Sequence, residues 1–531
     1  MSADPGEAGA AANLVEQLAV VVGRDYVLTD DESRLFYSTD VFRQADVLAA
    51  AVVQPGSVEE LCAVVRTCAA ARCPMVARGG GASYTDGYLA VREATVCIDT
   101  GRLKRIEINA EDMYVTAEVG VTWEELYLAL KAQGLRTPFW GPFSGRVATV
   151  GGSTSSHAVN YGSGLYGVSA ESLTGIDVVL ASGELLSTGS GGGNNNASAF
   201  FRYYGPDLTG MFTGDAGALG IKARVSLRLM QRPEGFAACS FGFPNGENAL
   251  NAMMEVARLG IVAQCFGLDP RQQKTALTQM ESTNPIDAAK SVMRSARNPI
   301  DGLIQLTKMA LAGRSFLKKA NYSAHFSAEG VSNREAKAKI AQVRAIGSKY
   351  GAEVANSIPT FFNAEPFMPL TPILGPGGER WKPTHGVIAF SKVLKHHAEI
   401  EAMMAEYHDR MEQHGVQLTR MLMPFSTNAF IYEPTFLWND ARSVYHEKMY
   451  PAELLSKKPL HEDNPEGRAL LLEIKKRIQQ ICTQNGACHM QIGKDYPFLE
   501  TRKPQTAALI RQLKATLDPN GLMNPGALGL D

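Results

Sequence analysis

Between residues 51 and 229 the chain alternates between the two-residue apolar period of strands and the wider period of amphipathic helices. The pattern predicts a helix over 58–71, strands over 94–98 and 113–119, a helix over 122–133, and strands over 173–180 and 222–229. Thr122 is the expected N-cap of its helix. Glu125 stands three residues on, the spacing at which the two side chains satisfy each other's orphan N–H groups. From about 231 to 470 strand-like runs such as 237–243 mix with longer helices, and two further helices are expected over 470–484 and 504–517. Asp518-Pro519-Asn520-Gly521 stops the last helix, and residues 189–196, rich in glycine and asparagine, are expected to form a mobile loop.

One segment breaks the apolar rhythm with a chemical signal. After the apolar Pro74-Met75-Val76 comes Arg78-Gly79-Gly80-Gly81-Ala82-Ser83-Tyr84. Three successive glycines can take conformations closed to other residues and leave no side chain in the way. Their N–H groups can turn inward as a nest for a pyrophosphate, with Arg78 as a positive charge beside it.

Composition narrows the classes. The 531 residues are enough for two or more domains, and 45% hydrophobic with 20% charged residues is ordinary for a globular chain. A net charge of −2 argues against nucleic acid as the main partner. The eight cysteines form no C-x-x-C pair and read as reduced thiols in a cytoplasmic protein. The small, acidic start lacks a signal-peptide pattern, and no apolar run is long enough to span a bilayer, so the chain is expected to be soluble or at most peripheral to a membrane. Residues 271–320 carry nine Lys/Arg against three Asp/Glu with apolar residues interleaved. Such a stretch is either a solvated helix face or a docking surface for anionic lipid or an acidic electron acceptor.

Taken together the motifs resemble the flavoprotein family of vanillyl-alcohol oxidase and p-cresol methylhydroxylase, which also includes D-2-hydroxy-acid dehydrogenases. In order they are Val53-Gln54-Pro55, the loop from Arg78 to Ser83, Ile98-Asp99-Thr100, Glu118-Val119-Gly120-Val121, Ala148-Thr149-Val150-Gly151-Gly152 and Gly217-Ala218-Leu219-Gly220-Ile221. The tail Asp518-Pro519-Asn520-Gly521 with Asn524-Pro525-Gly526 completes the set. The match is close over about 51–235 and the last forty or so residues, and loose between. The resemblance implies an α+β fold: a two-subdomain FAD-binding domain with an inserted α+β cap, or substrate, domain. The boundaries expected are 1–235, a cap over 236–468, and 469–531 returning to the FAD domain. It implies that Arg78, Gly79, Gly80, Gly81, Ala82, Ser83 and Tyr84 hold the pyrophosphate. Gly120, Thr149, Gly151, Gly152, Ser153, His157, Gly164, Gly220 and Ile221 then lie along the rest of FAD, and Asn524 closes the site.

The flavin would carry the redox step, leaving the protein to bind the substrate and manage a proton. His385, in Thr384-His385-Gly386-Val387, resembles the histidine bonded covalently to the flavin in vanillyl-alcohol oxidase, so it is expected either to anchor FAD or to act as base. His489 falls where the hydroxy-acid dehydrogenases place a histidine, and Tyr496 is a further candidate for catalysis. Departures are as informative. Ala82 excludes a linkage at the loop, the metal-binding H-A-G-D-G-N-x-H segment is absent so no metal is expected, and residues 142–146 hold no carboxylate. The expectation is an FAD-dependent oxidoreductase that takes a hydride from the hydroxylated carbon of a small alcohol or phenolic alcohol. The alternative is a metal-independent D-2-hydroxy-acid dehydrogenase with Arg380, Lys382 or Lys494 on the carboxylate. A flavin subunit passing electrons to a cytochrome or quinone stays open, as does oxygen as acceptor. The resemblance also suggests a homodimer.

Overall fold

The computed structural model describes residues 5–194, 197–273, 321–371 and 373–530. All but the first three residues of the basic stretch 271–320 therefore lie outside the described residues.

Three sheets organise the described chain. The first has the order Val27–Leu28, Ala51–Val53, Val96–Asp99, Met75–Arg78, its last three strands parallel. Parallel strands need a crossover, and the helix Val58–Ala70 supplies one. Its Val58, Leu61, Val64, Val65 and Cys68 face the core at helical spacing. The second sheet is antiparallel, in the order Ile106–Asn109, Tyr114–Glu118, Ile221–Arg228, Leu173–Val179, Leu185–Ser187. The helix Trp123–Lys131 begins at Thr122 with the reciprocal cap its spacing predicted, a feature worth ~1 kcal/mol. Trp123 is buried, and its Nε1 donates to Ser153 Oγ at 2.7 Å, fixing this helix to the short helix Val150–Ser156.

The third sheet is larger and antiparallel: Ala352–Val354, Gly235–Phe243, Tyr322–Gly330, Gln264–Leu268, Gln417–Phe425, Ala429–Asn439, Glu379–Pro383, with Gly386–Ala389 also on Ala429–Asn439. Strand side chains alternate between faces. Along Ala429–Asn439, Phe430, Tyr432, Phe436 and Trp438 join the core shared with the helices Gly246–Ala257, Asn333–Tyr350 and Val393–Gln413. Glu433 and Leu437 fall on the opposite face. The helix Pro465–Gln484 packs on Val393–Gln413, and its Leu470, Leu471, Ile474 and Ile478 belong to this same core. It sits with the third sheet. The chain returns after it: Met523 bridges to Met75, and Lys514 Nζ donates to Asp518 and to the carbonyls of Ala218 and Met523.

The helices expected at 58–71, 122–133 and 504–517 appear as Val58–Ala70, Trp123–Lys131 and Pro504–Leu517. Gly189–Gly192, expected to be mobile, is a short 3-10 turn held by Ser190, whose hydroxyl donates to Ser198 O at 2.7 Å and accepts from Phe201 N at 3.0 Å. No helix among the described residues is long and apolar enough to cross a membrane.

Candidate active site

A cavity of about 400 Å³ runs from the glycine loop to the face of the large sheet. At the loop, close packing explains the glycines. A Cβ on Gly80 would stand 1.6 Å from the Val147 carbonyl oxygen, and one on Gly79 would stand 2.5 Å from Thr149 Oγ1. Gly81 turns through φ 73°, a region that favours glycine, and its carbonyl accepts from Tyr88 Oη at 3.1 Å and Tyr445 Oη at 2.9 Å. Ser83 Oγ accepts from the N–H groups of Thr85 and Gly87. Gly79, Gly80, Gly81, Ala82, Ser83 and Tyr84 all line the cavity.

Arg78 does not. Its guanidinium lies over the rings of Phe36, Tyr37 and Tyr88 at 4.8, 4.7 and 5.4 Å, and its buried Nε lacks a protein partner. In this position the buried cation braces the loop through its aromatic neighbours. Gly120 and Gly164 also stand outside the lining. Side chains there would meet Thr100 O at 2.1 Å and Val262 O at 2.4 Å, so they are points of close backbone approach in the walls.

The next wall comes from the helix Val150–Ser156. Thr149 caps it by accepting from Gly152 N at 3.1 Å, and Thr149, Gly151, Gly152, Ser153 and His157 line the cavity together with Gly220 and Ile221. His157 ends this helix at φ 61°, and its buried Nδ1 has no protein partner. Burial lowers its pKa, favouring the neutral ring. Asn524 lies outside the lining but ties it together. At φ 43° its Nδ2 donates to Gly87 O and Ala216 O at 2.8 and 2.5 Å, and its Oδ1 accepts from Lys494 Nζ at 2.6 Å. A backbone cradle with no room for side chains, beside a capped helix start and an unpartnered buried imidazole nitrogen, fits a long polar cofactor with an anionic centre such as FAD.

The far end of the cavity is apolar, with Phe143, Phe266, Phe362, Trp381, Met421 and Met423 among its walls. Its charged lining is sparse. Lys222 is ion-paired with buried Asp215, and the remaining charge-bearing group is Glu433. Glu433 stands opposite Met421 in the sheet register. Burial pushes its carboxyl up from the ordinary 4.5 to about 8. The sequence reading passed over it, although a carboxyl inside the apolar run Phe430-Ile431-Tyr432-Glu433-Pro434-Thr435-Phe436 is a costly choice that signals a role.

The three expected catalytic residues come together, but beside the cavity and outside its lining. His385 is 2% exposed, and its Nε2 lies 2.8 Å from Met490 O. Its Nδ1 is 3.5 Å from Tyr496 Oη and 3.9 Å from Glu433 Oε2. Burial, then the His489 ring, push His385 down to about 4. His489 donates from Nδ1 to His385 O at 2.8 Å and stacks on Tyr496 at 4.4 Å. Burial also lowers the His489 pKa. Tyr496 accepts from His385 N at 3.0 Å, and burial holds its phenol well above the ordinary range. With Nε2 engaged by a carbonyl, His385 faces Glu433 and not the open cavity.

Comparison with known proteins agrees with this construction. Residues 49–189 match the FAD binding domain, and residues 492–528 match the C-terminal domain of FAD linked oxidases. The chain is 29% identical over 219 residues to the glycolate oxidase subunit GlcD of Bacillus subtilis, covering 41% of this chain and 45% of that one. It is 30% identical over 230 residues to the 4-cresol dehydrogenase [hydroxylating] flavoprotein subunit of Pseudomonas putida, covering 42% and 43%. The matches thus span less than half the length of these curated relatives. In structure it superposes on p-cresol methylhydroxylase with bound substrate at a TM-score of 0.72 and 18% identity, over 98% of this chain and 97% of that one. The chain thus carries an FAD binding domain and the C-terminal domain of FAD linked oxidases, on an α+β fold like that of p-cresol methylhydroxylase, with FAD as its cofactor.

Proposed function

We propose that the protein is an FAD-dependent oxidoreductase that removes a hydride from the hydroxylated carbon of a small, uncharged alcohol or phenolic alcohol. One observation carries the reading: the cavity passes without interruption from the glycine cradle to an apolar chamber holding a single unpaired carboxyl. In this reading FAD is held by the backbone of 79–83, by Thr149, Gly151, Gly152 and Ser153, and by His157, Gly220 and Ile221. Arg78, Gly120, Gly164 and Asn524 keep those segments in place. Bound there, FAD would supply a two-electron acceptor. The chain's own residues exclude water with Phe143, Phe266 and Phe362, orient an apolar substrate body, and offer Glu433 to its hydroxyl. The division that suits this role is a cofactor unit to about 235, a cap ending after the helix Pro465–Gln484, and the returning tail.

In the hydroxy-acid alternative the three cations expected on the carboxylate already have protein partners. Lys382 is bound to Asp495 and the Tyr84 carbonyl, Arg380 donates to Ala441 O at 2.6 Å, and Lys494 is held by Asn524. A substrate carboxylate would also meet Glu433. The test is anaerobic mixing of the yellow protein with benzylic and phenolic alcohols, and separately with D-lactate and glycolate, following flavin absorbance. Bleaching by alcohols alone supports the reading. Bleaching by the hydroxy acids alone reverses it.

A further inference from the structure

We propose that Glu433 is the acid–base residue of this site, that it selects substrates with an uncharged hydroxyl, and that His385 is its positioning partner. The proposal rests on the oxidoreductase reading above and names the group that reading needs. Among the described residues Glu433 is the one carboxyl in the cavity lining.

Its other side is organised by His385. The Met490 carbonyl can only accept, so His385 Nε2 carries the hydrogen and Nδ1 presents a lone pair with the Tyr496 hydroxyl at 3.5 Å and Glu433 Oε2 at 3.9 Å. Tyr496 holds the main chain there by accepting the His385 backbone N–H at 3.0 Å. A lone pair facing a carboxyl favours its protonated form.

The other titratable groups around Glu433 are Tyr84 from the glycine loop and Tyr496 from the tail, both held neutral by burial. Lys382 and Lys475 stand behind His385, and both are engaged by Asp495. None of them offers Glu433 a full counter-charge, which agrees with a carboxyl raised by burial to about 8.

The chemistry balances. The substrate's O–H bond would break with its proton going to the Glu433 carboxylate, and the carbinol hydrogen would leave as hydride, taking both electrons of its C–H bond to bound FAD. The carbon–oxygen double bond forms, the substrate loses two electrons and the flavin gains two. The proton on Glu433 then returns to solvent. His385 touches neither substrate nor cofactor and acts through Glu433. An anionic substrate would be admitted only while Glu433 is protonated.

The test is equilibrium binding to the FAD-loaded protein by calorimetry, using benzoate and benzamide, which share a ring and differ in charge. Benzoate affinity is expected to fall about tenfold per pH unit once Glu433 ionises, while benzamide affinity stays level. Glu433→Gln should make benzoate binding independent of pH with FAD still bound. His385→Leu should move the midpoint to lower pH, and His385→Asn, whose amide oxygen can take the place of Nδ1, should return it toward wild type. Benzoate binding that is level with pH, no preference for benzamide at alkaline pH, or a pH dependence kept by Glu433→Gln overturns the proposal. An unmoved midpoint in His385→Leu removes the positioning role. Failure here with intact bleaching by alcohols removes Glu433 and leaves the oxidoreductase reading. Loss of bleaching with the pH-linked binding intact does the reverse.

Discussion

Gly80→Ala probes the cradle directly. The added carbon would stand 1.6 Å from the Val147 carbonyl oxygen, and real Cβ atoms essentially never come within 3.0 Å of such a neighbour. The two segments must part by about 1.4 Å, the difference between those distances. Val147 cannot yield easily, because its N–H and that of Ala148 both donate to Ser144 O, at 2.9 and 2.8 Å, and Val150 N donates to Val121 O at 2.8 Å. The loop 79–83 therefore moves. A displacement above 1 Å takes backbone donors out of hydrogen-bonding range of a phosphate, and two charge-assisted bonds at ~1.5 kcal/mol each amount to ~3 kcal/mol, or about a hundredfold in FAD affinity. Fluorescence titration of apoprotein with FAD measures this, and a thermal melt of the apoprotein checks the fold. An affinity within about threefold of wild type would refute the assignment of this loop to the pyrophosphate.

Four further outcomes are expected. Glu433 has a folded-state pKa raised above its ordinary value, so the stability it contributes is present below about 4.5 and is lost as pH rises toward about 8. Relative to wild type, Glu433→Gln should therefore gain up to ~5 kcal/mol by about pH 9, read from urea unfolding at several pH values, and a difference level with pH would be the contrary result. Asp495→Asn leaves the buried Lys382 and Lys475 without their shared carboxylate and should cost ~3–5 kcal/mol in the same assay, whereas a loss below ~1 kcal/mol would show that the lysines find other partners. Asn524→Ala removes contacts to Gly87, Ala216 and Lys494 at a residue with φ 43°, so FAD should bind about tenfold or more weakly, and unchanged FAD titration would exclude the clamp. Because His385 Nε2 is engaged by Met490 O, acid precipitation should release yellow FAD to the supernatant, and a yellow pellet would contradict that geometry.

How much of this was legible beforehand follows from the range of the interactions. Local chemistry reads well. The Thr122–Glu125 cap, the glycine loop and the stop at Asp518-Pro519-Asn520-Gly521 each involve residues a few positions apart, and each appears where the pattern put it, whereas the helix that Thr149 caps was not expected. The aromatic surroundings of Arg78 are less local, since two of the rings that cover it come from Phe36 and Tyr37, some forty residues before it. His385, His489 and Tyr496 were singled out individually, yet the direction each faces depends on hydrogen bonds across about a hundred residues.

By itself, then, the sequence determined the FAD-binding class of the chain, its glycine loop and most of the helices and strands around it, because glycine conformation, capping and apolar period act within a few residues. Only the tertiary structure decided that Glu433 enters the cavity while His385 stands behind it. That choice depends on which face of a strand meets the cofactor unit and on which carbonyl claims an imidazole nitrogen. Such contacts form only when distant segments of the chain meet.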